Sequence, residues 1–63
     1  MSTSAPEAMA EVRWLLDSQL VATNRLAADM TALGYEGAAS FLRYHAGILA
    51  AELNGLDVEP PTT

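Results

Sequence analysis

The side chains best suited to chemistry in this sequence are an imidazole and a carboxylate on one helical stripe. His45 and Glu52 are seven residues apart, about 10 Å along a helix, so they cannot meet within that helix. They could meet between two copies packed antiparallel, where protonation of His45 would strengthen its contact with the other copy's Glu52 and make the interface pH-sensitive. The alternative is a locally satisfied structural histidine, with Glu52 at the edge of an interface.

The composition argues against catalysis and against a metal site. The chain has no Cys, no Lys and one His, and it contains neither a glycine-rich phosphate loop nor a nucleophile elbow. Metal sites in carboxylate-bridged bundles use Glu-x-x-His motifs with further Glu ligands, and no such spacing occurs. We therefore expect no enzyme activity, no cofactor and no metal.

The charge and hydropathy limit the classes of partner. Eight acidic residues against three arginines give a net charge of −5, which disfavours nucleic acid and anionic lipid as partners. There is no uncharged apolar run near the ~20 residues of a membrane span, and the N-terminus lacks the pattern of a signal peptide. We expect a cytoplasmic protein with no membrane partner.

Capping residues predict where the first helix begins and ends. Ser4 and Glu7 form an S-x-x-E capping box, and Pro6 suits the first turn of a helix. Gly34 is expected to take the left-handed backbone conformation that ends a helix. These residues predict a helix over about 5–33.

A second helix is predicted after a short connection. The turn is expected at 34–36 and the helix at about 37–54, with Gly55 as its stop. Residues 1–4 are expected to form a disordered tail. Residues 57–63, which are acidic and contain two prolines, are expected to form an extended tail.

The first helix carries a broad apolar stripe, which we expect to form the core. At 100° per residue its members are Met9, Val12, Leu15, Leu16, Leu20, Leu26, Ala27, Met30 and Leu33. Gln19 and Thr23 interrupt the middle of this stripe. Either they are buried polar residues that specify the register of the helices or the oligomeric state, or their side chains reach water at the edge of a wider stripe.

The second helix repeats the design. Its apolar stripe consists of Ala38, Phe41, Leu42, Ile48, Leu49, Leu53 and Leu56, and His45 and Glu52 lie at its centre. Antiparallel pairing brings His45 towards Thr23 and Glu52 towards Gln19. Because buried polar groups need partners, we predict shared polar core layers built from Gln19, Thr23, His45 and Glu52.

A narrower stripe lies opposite the core face of the first helix. Trp14, Val21, Arg25 and Ala28 form a candidate ridge for docking a partner, since Trp is enriched at binding hot spots. Alternatively, Trp14 lies over its own helix. The second helix also has a strip of small residues, where either another helix approaches closely or small side chains are simply tolerated: Ser40, Gly47, Ala51 and Asn54.

The predicted fold class is all-α, an antiparallel two-helix hairpin over residues 5–56 that homodimerises into a four-helix bundle. A chain of 63 residues buries little surface, and without cysteine it has no disulfide to stabilise it. Association with another chain is the remaining common way to stabilise a domain of this size. The predicted self-association interface consists of Phe41, Leu42, His45, Ile48, Leu49, Glu52 and Leu53.

Two hypotheses about function follow from this fold. The first is a self-associating, non-enzymatic interaction module that acts as a regulator, adaptor or structural element. The second is an accessory subunit or inhibitor, of the kind that phages or mobile elements encode, whose hairpin docks on a larger protein. A melting temperature that rises with concentration would indicate the first, whereas a dedicated subunit would fold poorly alone.

Overall fold

The protein is an antiparallel pair of α-helices. The structure, a computed structural model, describes residues 4–56, in which α1 spans Ala5–Leu33 and α2 spans Glu36–Leu56. The two helices pack against each other along their length. The predicted all-α hairpin is therefore confirmed. The disordered tail predicted at 1–4 lies outside the described residues except for Ser4, and the extended tail predicted at 57–63 lies wholly outside them.

The start of α1 is fixed by a side-chain cap. Ser4 has extended backbone angles, φ −71° and ψ 157°, and its hydroxyl oxygen accepts a hydrogen bond from the Glu7 N–H at 3.3 Å. Its carbonyl accepts from the Ala8 N–H at 3.0 Å. Pro6 lies in the first turn, where the missing N–H has no intrahelical acceptor to lose.

The connection between the helices is a tight turn at Gly34 and Tyr35. Gly34 adopts φ 88° and its N–H donates to the Thr31 carbonyl at 3.1 Å, while the Tyr35 N–H donates to the Met30 carbonyl at 2.9 Å. This pair of bonds is the Schellman motif, which satisfies the last carbonyls of α1. The Tyr35 carbonyl then accepts from Ala39 at 3.0 Å and opens α2, so the chain reverses in two residues.

The second helix is longer than the predicted 37–54. It begins at Glu36 and continues through Gly55 to Leu56. Among the described residues, Gly34 is the glycine with positive φ. Because a glycine ends a helix by taking the left-handed conformation, Gly55 does not act as a stop, and the helix carries the half-buried Leu56 into the contact with α1.

The helices meet along a seam in which buried or half-buried residues alternate at spacings of three and four. On α1 the seam consists of Leu16, Leu20, Thr23, Ala27 and Met30, and on α2 of Ala39, Leu42, Ala46, Leu49, Leu53 and Leu56. This is the heptad pattern of a coiled coil. Counted from the turn, each α1 seam residue has an α2 seam residue at the same level, for example Thr23 with Ala46 and Leu20 with Leu49.

The core is thin. Within residues 4–56 the buried side chains are Thr23, Ala27, Ala39, Ala46 and Leu49, so small residues occupy most of the centre of the seam. Much of the apolar stripe predicted as core stays exposed, namely Met9, Val12, Leu15, Leu26, Leu33, Ala38, Phe41 and Ile48. One helix can cover only one side of its neighbour, so a stripe this broad is half covered in the hairpin.

Candidate functional site

The exposed half of the two apolar stripes forms one continuous surface, which we call the open face. Most of its positions come one residue before a seam residue, as Leu26 precedes Ala27 and Ile48 precedes Leu49. Val12 and Leu33 extend the same spacing along α1. The open face consists of Val12, Leu15, Gln19, Ala22, Leu26, Asp29 and Leu33 on α1, and Ala38, Phe41, His45, Ile48 and Glu52 on α2.

Both helices turn their open-face residues to the same side of the hairpin. In an antiparallel pair, a step of one residue back from the seam rotates both helices towards the same side, and a step forward rotates both towards the other side. Thr31 and Arg43 each follow a seam residue. The Arg43 guanidinium donates to the Thr31 hydroxyl, which donates to the Ala27 carbonyl at 3.0 Å, so the side away from the open face is bridged between the helices.

Apart from the half-buried Ala22, the residues of the open face are more exposed than those of the seam. Ile48 is 44% exposed while the adjacent Leu49 is 5% exposed, and Phe41 is 68% exposed. The α1 part spans about 32 Å and the α2 part about 21 Å at 1.5 Å per residue. With helices about 10 Å wide, the surface covers roughly 500 Å² in plan, near the upper end of the apolar patches that monomeric proteins expose.

The structure divides the predicted self-association interface between two surfaces. Leu49 is buried and Leu42 and Leu53 are half-buried in the seam, so they hold the hairpin itself together. The other members lie on the open face and are exposed: Phe41, His45, Ile48 and Glu52. The hairpin alone therefore uses one half of the predicted set and leaves the other half uncovered.

The predicted polar layers are divided in the same way. Thr23 is buried in the seam at 8% exposure, at the level of Ala46. Gln19, His45 and Glu52 are exposed on the open face. Among residues 4–56, no buried side-chain nitrogen or oxygen lacks a hydrogen-bond partner.

The predicted ridge lies away from the open face. Trp14 is 70% exposed, and Val21, Arg25 and Ala28 are also exposed on α1. A shallow hollow beside Trp14 is lined by Arg13, Trp14, Asp17 and Leu53. Trp14 thus lies near the C-terminal part of α2 rather than isolated on α1, and its ring still has most of its surface in solvent.

Over residues 4–56, no three His, Cys, Asp or Glu side chains lie close enough together to bind a metal ion. No helix within the same range combines the length and apolarity needed to cross a bilayer. The open face is the surface of the described hairpin that groups the most large apolar side chains.

Comparison with known proteins gives no assignment for this chain. No protein-family model, no curated protein and no solved structure matches it.

The apolar spacing of α1 predicts a core position for residues that the structure leaves on the open face. Val12, Leu15, Leu26 and Leu33 share the spacing of the seam residues beside them. The width of the apolar stripe indicates this second surface, because consecutive residues are both apolar at several places, for example Leu15 with Leu16 and Leu26 with Ala27. Two adjacent heptad patterns on one helix indicate two neighbouring helices rather than one.

Proposed function

We propose that this protein is a self-associating helical hairpin, a non-enzymatic interaction module in which a second copy covers the open face to complete a four-helix bundle. The observation that carries the proposal is the open face itself. It continues the heptad spacing on both helices, which is the pattern that helices use to receive a further helix. In this role the protein acts as a small cytoplasmic regulator, adaptor or structural element.

The thinness of the core supports an additional chain. Three of the buried apolar residues are alanines, and Leu49 is the largest buried side chain of the described hairpin. Domains of this size bury a small fraction of their surface and usually need a further source of stability. Covering Phe41, Ile48 and the exposed leucines of α1 would bury large apolar side chains that the hairpin alone leaves in solvent.

The size of the open face supports a second copy as the occupant. Its plan area of roughly 500 Å² is corrugated by side chains, so the accessible area approaches the ~800 Å² that each partner contributes to a standard interface. A twofold interface requires one patch to be complementary to itself. Both helices contribute apolar residues along their length, and eight of the twelve positions are apolar, so most of the face can pack on its own copy.

A test of the proposal is thermal unfolding of the purified chain, followed by circular dichroism over a hundredfold range of concentration. If folding requires association, the melting temperature should rise by about 6 °C for each tenfold increase in concentration, because a tenfold change is 1.4 kcal/mol. A cooperative transition at the same temperature throughout would contradict the proposal.

A second candidate is an accessory subunit that docks its open face on a larger protein. The observation that favours it is the charge of that face: Asp29 and Glu52 are its charged positions apart from His45, while all three arginines lie elsewhere. An acidic, apolar face also suits a basic amphipathic helix. A chain that is largely unfolded alone and becomes helical with such a partner would favour this candidate.

A further inference from the structure

We infer that the two copies pack with their hairpins antiparallel, so that α1 lies on the α1 of the second copy and α2 on its α2, with the two turns at opposite ends of the bundle. The inference rests on the proposed self-association and specifies its geometry. The alternative is a parallel arrangement, in which each α1 lies on the other copy's α2 and both turns lie at the same end.

The lengths of the two halves of the open face favour the antiparallel arrangement. The α1 half runs from Val12 to Leu33, about 32 Å, and the α2 half from Ala38 to Glu52, about 21 Å. When the hairpins are antiparallel, the long half covers the long half and the short half covers the short half. When they are parallel, each long half faces a short one, and Val12 and Leu33 project beyond its two ends.

One twofold axis can serve both pairs of helices. The α1 half of the open face is centred near Ala22 and the α2 half near His45. Counted from the turn, these two residues are within about two positions of the same level, or about 3 Å along the hairpin. A single axis perpendicular to the helices therefore passes through the middle of both contacts, as a symmetric dimer requires.

The polar side chains of the open face give an independent reason. About an axis at the level of Ala22, which is also the level of Gly47, His45 of one copy lies about three residues, or roughly 5 Å along the helix, from Glu52 of the other, and the contact occurs twice. The two Gln19 residues then lie on either side of the axis, about 9 Å apart along the bundle. In the parallel arrangement, His45 would face Ala22 and Leu26 of the other copy, and the nearest polar open-face residues, Gln19 and Asp29, would lie about 8 Å away along the helix.

Spin-label distances distinguish the arrangements. The chain has no cysteine, so Tyr35→Cys and Glu11→Cys each introduce a single labelling site, one at the turn and one near the start of α1. Both residues are exposed; Tyr35 lies in the turn, and Glu11 borders the open face beside Val12 and Leu15. Double electron–electron resonance on each labelled dimer measures the distance between the two equivalent spin labels. Circular dichroism checks that each variant keeps its helices.

With the axis near Ala22, the antiparallel arrangement predicts separations of about 40 Å for the labels at position 35 and about 33 Å for those at position 11, from 1.5 Å per residue. Separations below about 25 Å at both positions, the width of a bundle plus the labels, would show parallel hairpins and overturn the inference while leaving self-association intact. Absence of dipolar coupling at both positions would show that no dimer forms, and would overturn the proposed function as well.

Discussion

At the scale of single residues, adjacent apolar side chains have different roles in this protein. Ile48 and Leu49 are neighbours of similar size, yet Leu49 is buried against α1 and Ile48 is left on the open face. A substitution at Leu49 would disrupt the hairpin itself and could not report on association alone. Ile48 is therefore the position at which association can be tested separately from folding of the hairpin.

The Ile48→Asp variant should lose self-association. A covered carboxylate loses its hydration and adds to the repulsion between two acidic copies, and His45 of the other copy offsets only part of this cost, so we expect the dissociation constant to rise at least tenfold, roughly 1.4 kcal/mol. Size-exclusion chromatography with light scattering measures the change. Tyr44→Asp is the matched control, because Tyr44 is 71% exposed and lies outside both the seam and the open face; equal loss in both variants would count against the assignment of the face.

The residues of the seam show what a single sequence can and cannot predict. The apolar stripes and both capping signals can be read from residue type and spacing, and they predict two antiparallel helices. Which half of each stripe faces the neighbouring helix is not encoded locally, since Leu15 and Leu16 are equally apolar. In the structure the half that faces the neighbouring helix carries the buried Ala27, Ala39 and Ala46, and hydropathy alone gives such small residues little weight.

At the scale of helices and turns, two glycines with different backbone angles have opposite expected effects. Gly34 has φ 88° at the end of α1, whereas Gly47 is helical and an added Cβ would meet no atom within 4 Å. Gly34→Ala should destabilise the protein by about 1–2 kcal/mol, because the left-handed conformation is costly for other residues. Gly47→Ala should stabilise it by about 1 kcal/mol through helix propensity.

Denaturant titrations of the two glycine variants against the parent chain check both signs. Gly47 follows the seam residue Ala46, so it faces away from the open face, and its substitution should leave self-association unchanged. Destabilisation by Gly47→Ala would contradict this placement and would indicate that another helix approaches the strip of small residues on α2.

At the scale of the whole molecule, charge opposes the proposed assembly. Each chain carries a net charge of −5, and Asp29 and Glu52 bring part of that charge to the open face. Apolar burial must therefore exceed the repulsion between copies. The same charge should limit indiscriminate aggregation through the exposed apolar surface, since like-charged molecules repel one another.

Salt should strengthen self-association. Raising sodium chloride from 0.05 to 0.5 M shortens the Debye length from about 14 Å to about 4 Å, so repulsion between the two acidic copies is screened. We expect the dissociation constant at pH 7.5 to fall several-fold, as measured by sedimentation velocity. A rise in the dissociation constant with salt would indicate that ion pairs between chains, rather than apolar contacts, hold the assembly together.

The assembly of the whole molecule is tested most directly by sedimentation equilibrium of the unmodified chain at pH 7.5, over a wide range of concentration. The account predicts a single helical species with twice the 6.7 kDa mass of the chain, which dissociates only on dilution. A folded, helical species that keeps the mass of one chain at every concentration would contradict it, because the hairpin would then be stable with its open face in water.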